Sequence, residues 1–218
     1  MKKKSGVLLF TGVGFICAFT IWTLLLMFVD SGAIGPLESR VGFSSLNQGF
    51  HSLTGTNLLL YEITDWLGIL PIGVALGFAV MGLSQLIKRR GLLGVDHDLL
   101  ALGVFYLVVI LFFALFEVAV VNYRPILIDG ALEASYPSST TMLFTTVMPT
   151  AIIQLRLRVR KGAARRCLEV AIIILTCLTV VGRLLSGVHW LTDIIGGLLL
   201  SVGLVCAYCS LVLKLKAR

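Results

Sequence analysis

The sequence predicts an all-α fold, a polytopic membrane bundle of six transmembrane helices, and three observations lead to it. Of its 218 residues, 58% are hydrophobic and 13% are charged, whereas soluble domains run at about 45–50% and about 25%. The apolar residues fall in runs of about 20, the length that crosses a hydrocarbon core of about 30 Å. The basic residues gather between alternate runs, which is a topology signal. No polar linker divides the chain, so residues 1–218 read as a single membrane domain.

The first run, residues 6–29, follows Lys2, Lys3 and Lys4. It is longer than the apolar core of a signal peptide and lacks a small-residue cleavage site, so it reads as a retained first span. Residues 30–64 are mixed in character, and Gly49-Phe50-His51-Ser52-Leu53 suggests a loop or interfacial helix. Further spans are expected at about residues 66–86, 99–121, 138–155, 168–185 and 190–212.

With the N-terminus inside, the inner segments hold Lys2, Lys3, Lys4, Lys88, Arg89, Arg90, Arg156, Arg158, Arg160, Lys161, Arg165, Arg166, Lys214, Lys216 and Arg218. Of the 18 Lys and Arg residues, only Arg40, Arg124 and Arg183 fall outside. Both termini are therefore expected in the cytoplasm of a multi-pass cell-membrane protein. The net charge of +7 follows from topology, with attraction to anionic membrane lipids, and calls for no nucleic acid. The five cysteines lie in apolar runs without zinc-type spacing and read as small buried hydrophobes.

Three polar clusters converge on the outer face. Arg124-Pro125 lies past the third span, Pro137-Ser138-Ser139 opens the fourth, and Arg183, His189 and Asp193 bracket the fifth-to-sixth connection. Two arginines offer bidentate donors to phosphate oxygens. Pro137 reads as a first-turn proline, and the amides and hydroxyls of Ser138 and Ser139 at a helix start suit an anion. His189 and Asp193 are four apart, a spacing that stacks two side chains on a helix and lets a carboxylate orient an imidazole nucleophile.

These clusters resemble the signature of the type 2 phosphatidic acid phosphatase superfamily. The family pattern runs K-x6-R-P, P-S-G-H and S-R-x5-H-x3-D. The chain has E-x6-R-P at residues 117–125, P-S-S-T at 137–140 and G-R-x5-H-x3-D at 182–193. The resemblance covers roughly residues 66–213. It implies a six-helix lipid phosphatase acting on a lipid phosphate or diphosphate, with no metal and no cofactor. Arg124, Arg183 and Ser138 with the amides after it would hold the phosphate, and His189 would form a phosphohistidine beside Asp193.

Two departures bear on mechanism. Glu117 replaces the lysine and stands two helical turns before Arg124, where an arginine could pair with it. Thr140 replaces the histidine that protonates the leaving group, and a threonine hydroxyl is no general acid near neutral pH. A diphosphate leaves as phosphate and needs less help than an alkoxide, so a polyprenyl diphosphate is a favoured substrate on this reading. His51 is an alternative proton source. Glu117, Thr140 and Gly182 also support a rival reading, a non-catalytic relative that binds a lipid phosphate head group or a partner protein.

Overall fold

The computed structural model of the chain describes residues 2–217; Arg218, counted above with the inner basic residues, lies outside the described residues. Apart from three isolated β-bridges, regular structure among the described residues is helical. In chain order the helices are α1 (Lys2–Phe28), α2 (Ser44–Thr54), α3 (Leu58–Leu67), α4 (Ile69–Arg89), α5 (His97–Val118), α6 (Ser139–Arg158), α7 (Ala163–Leu185) and α8 (Leu191–Leu215).

The mixed stretch before residue 65 resolves into α2 and most of α3. Together α3 and α4 form one apolar stretch, Leu58–Arg89, that breaks at Gly68. Pro71 explains the break: it has no N–H to give the carbonyl of Leu67, and its ring collides with that group. The Gly68 N–H turns to the Asp65 carbonyl instead, at 2.8 Å.

Among the described residues, five stretches are long and apolar enough to cross a membrane: α1, α3 with α4, α5, α7 and α8. The expected fourth span, about residues 138–155, is present as helix α6 but is too polar to qualify. Its surroundings give the reason. Thr141, Thr146, Thr150 and Gln154 are buried, and α6 packs on α4, α5, α7 and α8. A helix enclosed by other helices answers to their side chains rather than to lipid. Tyr106 shares a 3.0 Å hydrogen bond with Thr150, and Gln154 donates to the Tyr208 hydroxyl at 2.6 Å.

Helix α8 is the other inner helix. Gly203 and Gly12 bring α1 against it, since a Cβ on Gly12 would stand 2.9 Å from the Gly203 carbonyl oxygen. Gly196 leaves room for the Tyr136 ring, and Gly197 faces Ser138 and Thr141. The cysteines depart from expectation. Cys17, Cys167 and Cys177 are exposed on the bundle's flank, because the outer surface of a membrane bundle is itself apolar.

Candidate functional site

The connection between α7 and α8 carries His189, and the α2–α3 corner clamps it. Gly187 has φ +66°, and a Cβ there would stand 1.9 Å from the Gly55 carbonyl oxygen, so only glycine lets the two loops meet. The Asn57 N–H donates to the Ser186 carbonyl at 2.9 Å. His51 Nε2 lies 3.1 Å from the Gly187 carbonyl, which can only accept, so this nitrogen carries the proton. His51 thereby helps to hold the loop.

His189 is 3% exposed, and its partners select one tautomer. Nδ1 donates to the Ser135 carbonyl at 3.1 Å, with Ser135 Oγ also 3.1 Å away. Arg183 Nη2 donates to Nε2 at 3.2 Å, and a guanidinium has no acceptor. Two independent contacts thus leave the lone pair on Nε2. Burial first, then the charges of Arg183 and Arg124, hold the imidazole well below its usual range, so it is neutral.

Asp193 meets His189 otherwise than the four-residue spacing suggests. Helix α8 begins at Leu191, so His189 precedes the helix while Asp193 sits in its first turn. Asp193 Oδ2 is 3.8 Å from Nδ1, too long for a hydrogen bond. Ser135 fills the gap, because its hydroxyl donates to Asp193 Oδ2. The same oxygen accepts the Trp190 N–H at 2.9 Å, and Asn122 Nδ2 donates to the other at 3.3 Å. All four of Asn122, Ser135, His189 and Asp193 are buried.

The opposite side of the ring is cationic. Arg183 is fully buried, and its Nη1 is 3.3 Å from Asp65 Oδ1. Its Cζ stands 4.8 Å from the centroid of the Tyr61 ring, and Arg124 Cζ stands 5.7 Å from the same centroid. Arg124 Nε is 3.1 Å from Glu133 Oε2. The arginines therefore pair with Asp65 and Glu133, and Glu117 forms no ion pair with either, contrary to expectation. Helix α3 supplies the competing carboxylate, and it can reach Arg183 because Gly182 lets it in. A Cβ at Gly182 would sit 2.7 Å from Thr64 Cγ2.

Helix α6 begins at Ser139 with Ser138 as its cap residue, so Pro137 stands one place before the cap rather than in the first turn. The Ser138 N–H is spent on the Asp193 carbonyl, at 3.1 Å. Its hydroxyl caps nothing, and the first-turn amides of Ser139, Thr140 and Thr141 have no partner within the helix. Buried side-chain donors also lack partners here, among them Ser138 Oγ, Thr141 Oγ1, Arg124 Nη1 and Arg183 Nε. Buried polar groups are rarely left unpaired, and this collection suits an anion.

Glu117 and Ser139 line a small cavity with Ser135 and His189. Thr140 lines a different space, a groove between α4, α5 and α6 that also holds Asp65 and Ser139. Sequence reasoning missed Ser135, Asn122, Tyr61 and Asp65. The four-residue interval from Tyr61 to Asp65 was a usable signal, since it puts both on one helical face. Ser135 and Asn122 carried none.

The model of the PAP2 superfamily matches residues 119–217. In fold the chain is similar to a transmembrane PAP2-type phosphatidylglycerolphosphate phosphatase from Bacillus subtilis, with a TM-score of 0.64 and 18% identity over 96% of this chain and 98% of that one. No curated protein matches the chain in sequence. The apolar helices and this likeness describe a multi-pass membrane protein. Residues 119–217, the part that matches this family model, contribute Arg124, Ser135, Ser138, Arg183, His189 and Asp193 to the site.

Proposed function

We propose that this protein is a membrane phosphatase that removes the terminal phosphate from a lipid phosphate or diphosphate, a polyprenyl diphosphate among the candidates, through a phosphohistidine at His189. One observation carries the reading: the site joins unpartnered buried donors on Arg124, Arg183 and Ser138 to a neutral imidazole whose lone pair is on Nε2, held by Arg183. The similarity to a lipid phosphatase agrees with it.

In the proposed reaction a phosphate enters among these donors and draws Arg183 away from Nε2. The freed lone pair attacks phosphorus, while Arg124, Arg183, Ser138 and the first-turn amides of α6 take up the charge on the equatorial oxygens. Nδ1–H, bound to Ser135, carries the positive charge passed to the ring, with the Asp193 carboxylate behind it. Water then cleaves the P–N bond. The site lies where α5 and α7 end and α6 and α8 begin. Arg156, Arg158 and Arg165 lie at the other end of α6 and α7, and Lys88 and Arg89 close α4 just before α5 begins, which supports cytoplasmic termini and a site at the outer face.

The test uses detergent-solubilised full-length protein with phosphatidic acid and farnesyl diphosphate. Wild type is expected to release phosphate and to trap acid-labile, base-stable phosphate on His189; His189→Ala is expected to do neither. Equal release by wild type and His189→Ala would sink the phosphohistidine. No release by either would leave a protein that only binds.

A further inference from the structure

If the site is a phosphatase, it needs a proton for the departing lipid oxygen, and Thr140 cannot give one. We propose that Asp65 is the catalytic acid and base that takes this place; the inference rests on the phosphatase reading above.

Position is the first argument. Asp65 Oδ1 touches Arg183 Nη1, and Nη2 of the same guanidinium touches His189 Nε2, at 3.3 and 3.2 Å. The carboxyl is thus one guanidinium away from the attacking nitrogen. In-line transfer requires such a separation, with the nucleophile about 3 Å from phosphorus on one side and the acid about 3 Å from the leaving oxygen on the other.

The second argument is the groove. It encloses about 440 Å³ between α4, α5 and α6. Ile69, Ile72, Ile110, Phe113, Met142 and Leu143 make its apolar wall, and Asp65, Ser139 and Thr140 make its polar end. Its occupant is the substrate's own hydrocarbon tail, because the polar end is continuous with the start of α6 that cradles phosphate. A tail seated there puts the bridging oxygen beside Asp65. The other carboxylates near the site are placed differently: Glu133 is paired with Arg124, and Glu117 lines the separate cavity next to Ser135.

Protons and electrons then balance. The Nε2 lone pair forms the N–P bond, the P–O bond to the lipid breaks, and the lipid oxygen keeps that pair and takes the Asp65 proton. The Asp65 carboxylate next accepts a proton from water as the water oxygen attacks phosphorus. The P–N electrons return to Nε2, phosphate departs, and Asp65 is again protonated. An arriving phosphate draws Arg183 from Asp65 and frees the carboxyl to face the leaving oxygen.

Single turnovers with enzyme in excess read the first step alone. In Asp65→Asn, conversion of phosphatidic acid to diacylglycerol should slow by about 10²–10⁴-fold, the usual value of general acid catalysis. Conversion of farnesyl diphosphate to farnesyl phosphate should slow by about tenfold at most, because farnesyl phosphate, whose leaving oxygen is far less basic than an alkoxide, departs without an acid. Asp65→Glu should restore part of the phosphatidic acid reaction. Equal slowing on both substrates would overturn the proposal and reduce Asp65 to a holder of Arg183. That outcome differs from failure of the phosphatase reading, in which wild type itself makes no product or His189→Ala matches it.

Discussion

The two nitrogens of His189 live in opposite surroundings. Nδ1 faces Ser135, with Asp193 and Asn122 behind it, and all three are buried and hydrogen-bonded to one another or to backbone. Nε2 faces Arg183, backed by Tyr61 and by Asp65, whose side chain is 56% exposed toward the groove. The difference teaches a division of labour. The closed side sets tautomer and ring angle before any substrate arrives, which is preorganisation. In the proposed reaction the open side must change partners, because a lone pair that accepts from Arg183 cannot attack phosphorus.

The open side supplies charge, so cutting charge there should have the larger effect. Arg124→Ala is expected to lower phosphate release from farnesyl diphosphate by about 10²–10³-fold, the usual cost of one donor to a transition-state oxyanion. It should also move the acid limb of kcat/KM. Arg124 opposes protonation of His189, so removing it lets the imidazole take up a proton at a higher pH. In wild type the limb should lie below pH 6.5, the ordinary imidazole value, and in the variant it should rise toward it. A limb that stays in place would separate Arg124 from the nucleophile.

The closed side supplies geometry, and Ser135→Ala cuts it without touching charge. The change leaves a buried Asp193 oxygen short of one hydrogen bond, about 1–3 kcal/mol, which corresponds to about 10–100-fold in kcat. KM for farnesyl diphosphate should be unchanged, and Ser135→Thr should recover most of the rate. A rise in KM with kcat intact would place Ser135 on the phosphate instead of behind the histidine.

The same division marks what the sequence disclosed. Arg124, Ser138, Arg183, His189 and Asp193 were legible because their residue types and intervals are unusual in an apolar chain. Five spans were legible because lipid demands long apolar runs. The features that were not legible depend on helices meeting in space. The polarity of α6 reflects enclosure by its neighbours, which hydropathy cannot register. Ser135 acts only because α8 starts at Leu191 and leaves His189 outside the helix. Asp65 reaches Arg183 only because Gly182 and Gly68 let α3 bend onto α7.

His51 gives the smallest and most selective test, since it touches the loop rather than either side of the ring. Its imidazole bonds the Gly187 carbonyl and lies 5.6 Å, centroid to centroid, from Trp190. His51→Ala removes one hydrogen bond worth about 0.5–1.5 kcal/mol and part of an aromatic contact of about 0.5–1.5 kcal/mol. A lower melting temperature is expected, with phosphate release down by about tenfold or less. The phosphatidic acid to farnesyl diphosphate ratio should stay as in wild type, because a loosened loop slows both substrates alike. Should His51→Ala instead lose phosphatidic acid turnover selectively, the proton would come from His51. The open side would then have to include the α2–α3 corner, and Asp65 would retain only its contact with Arg183.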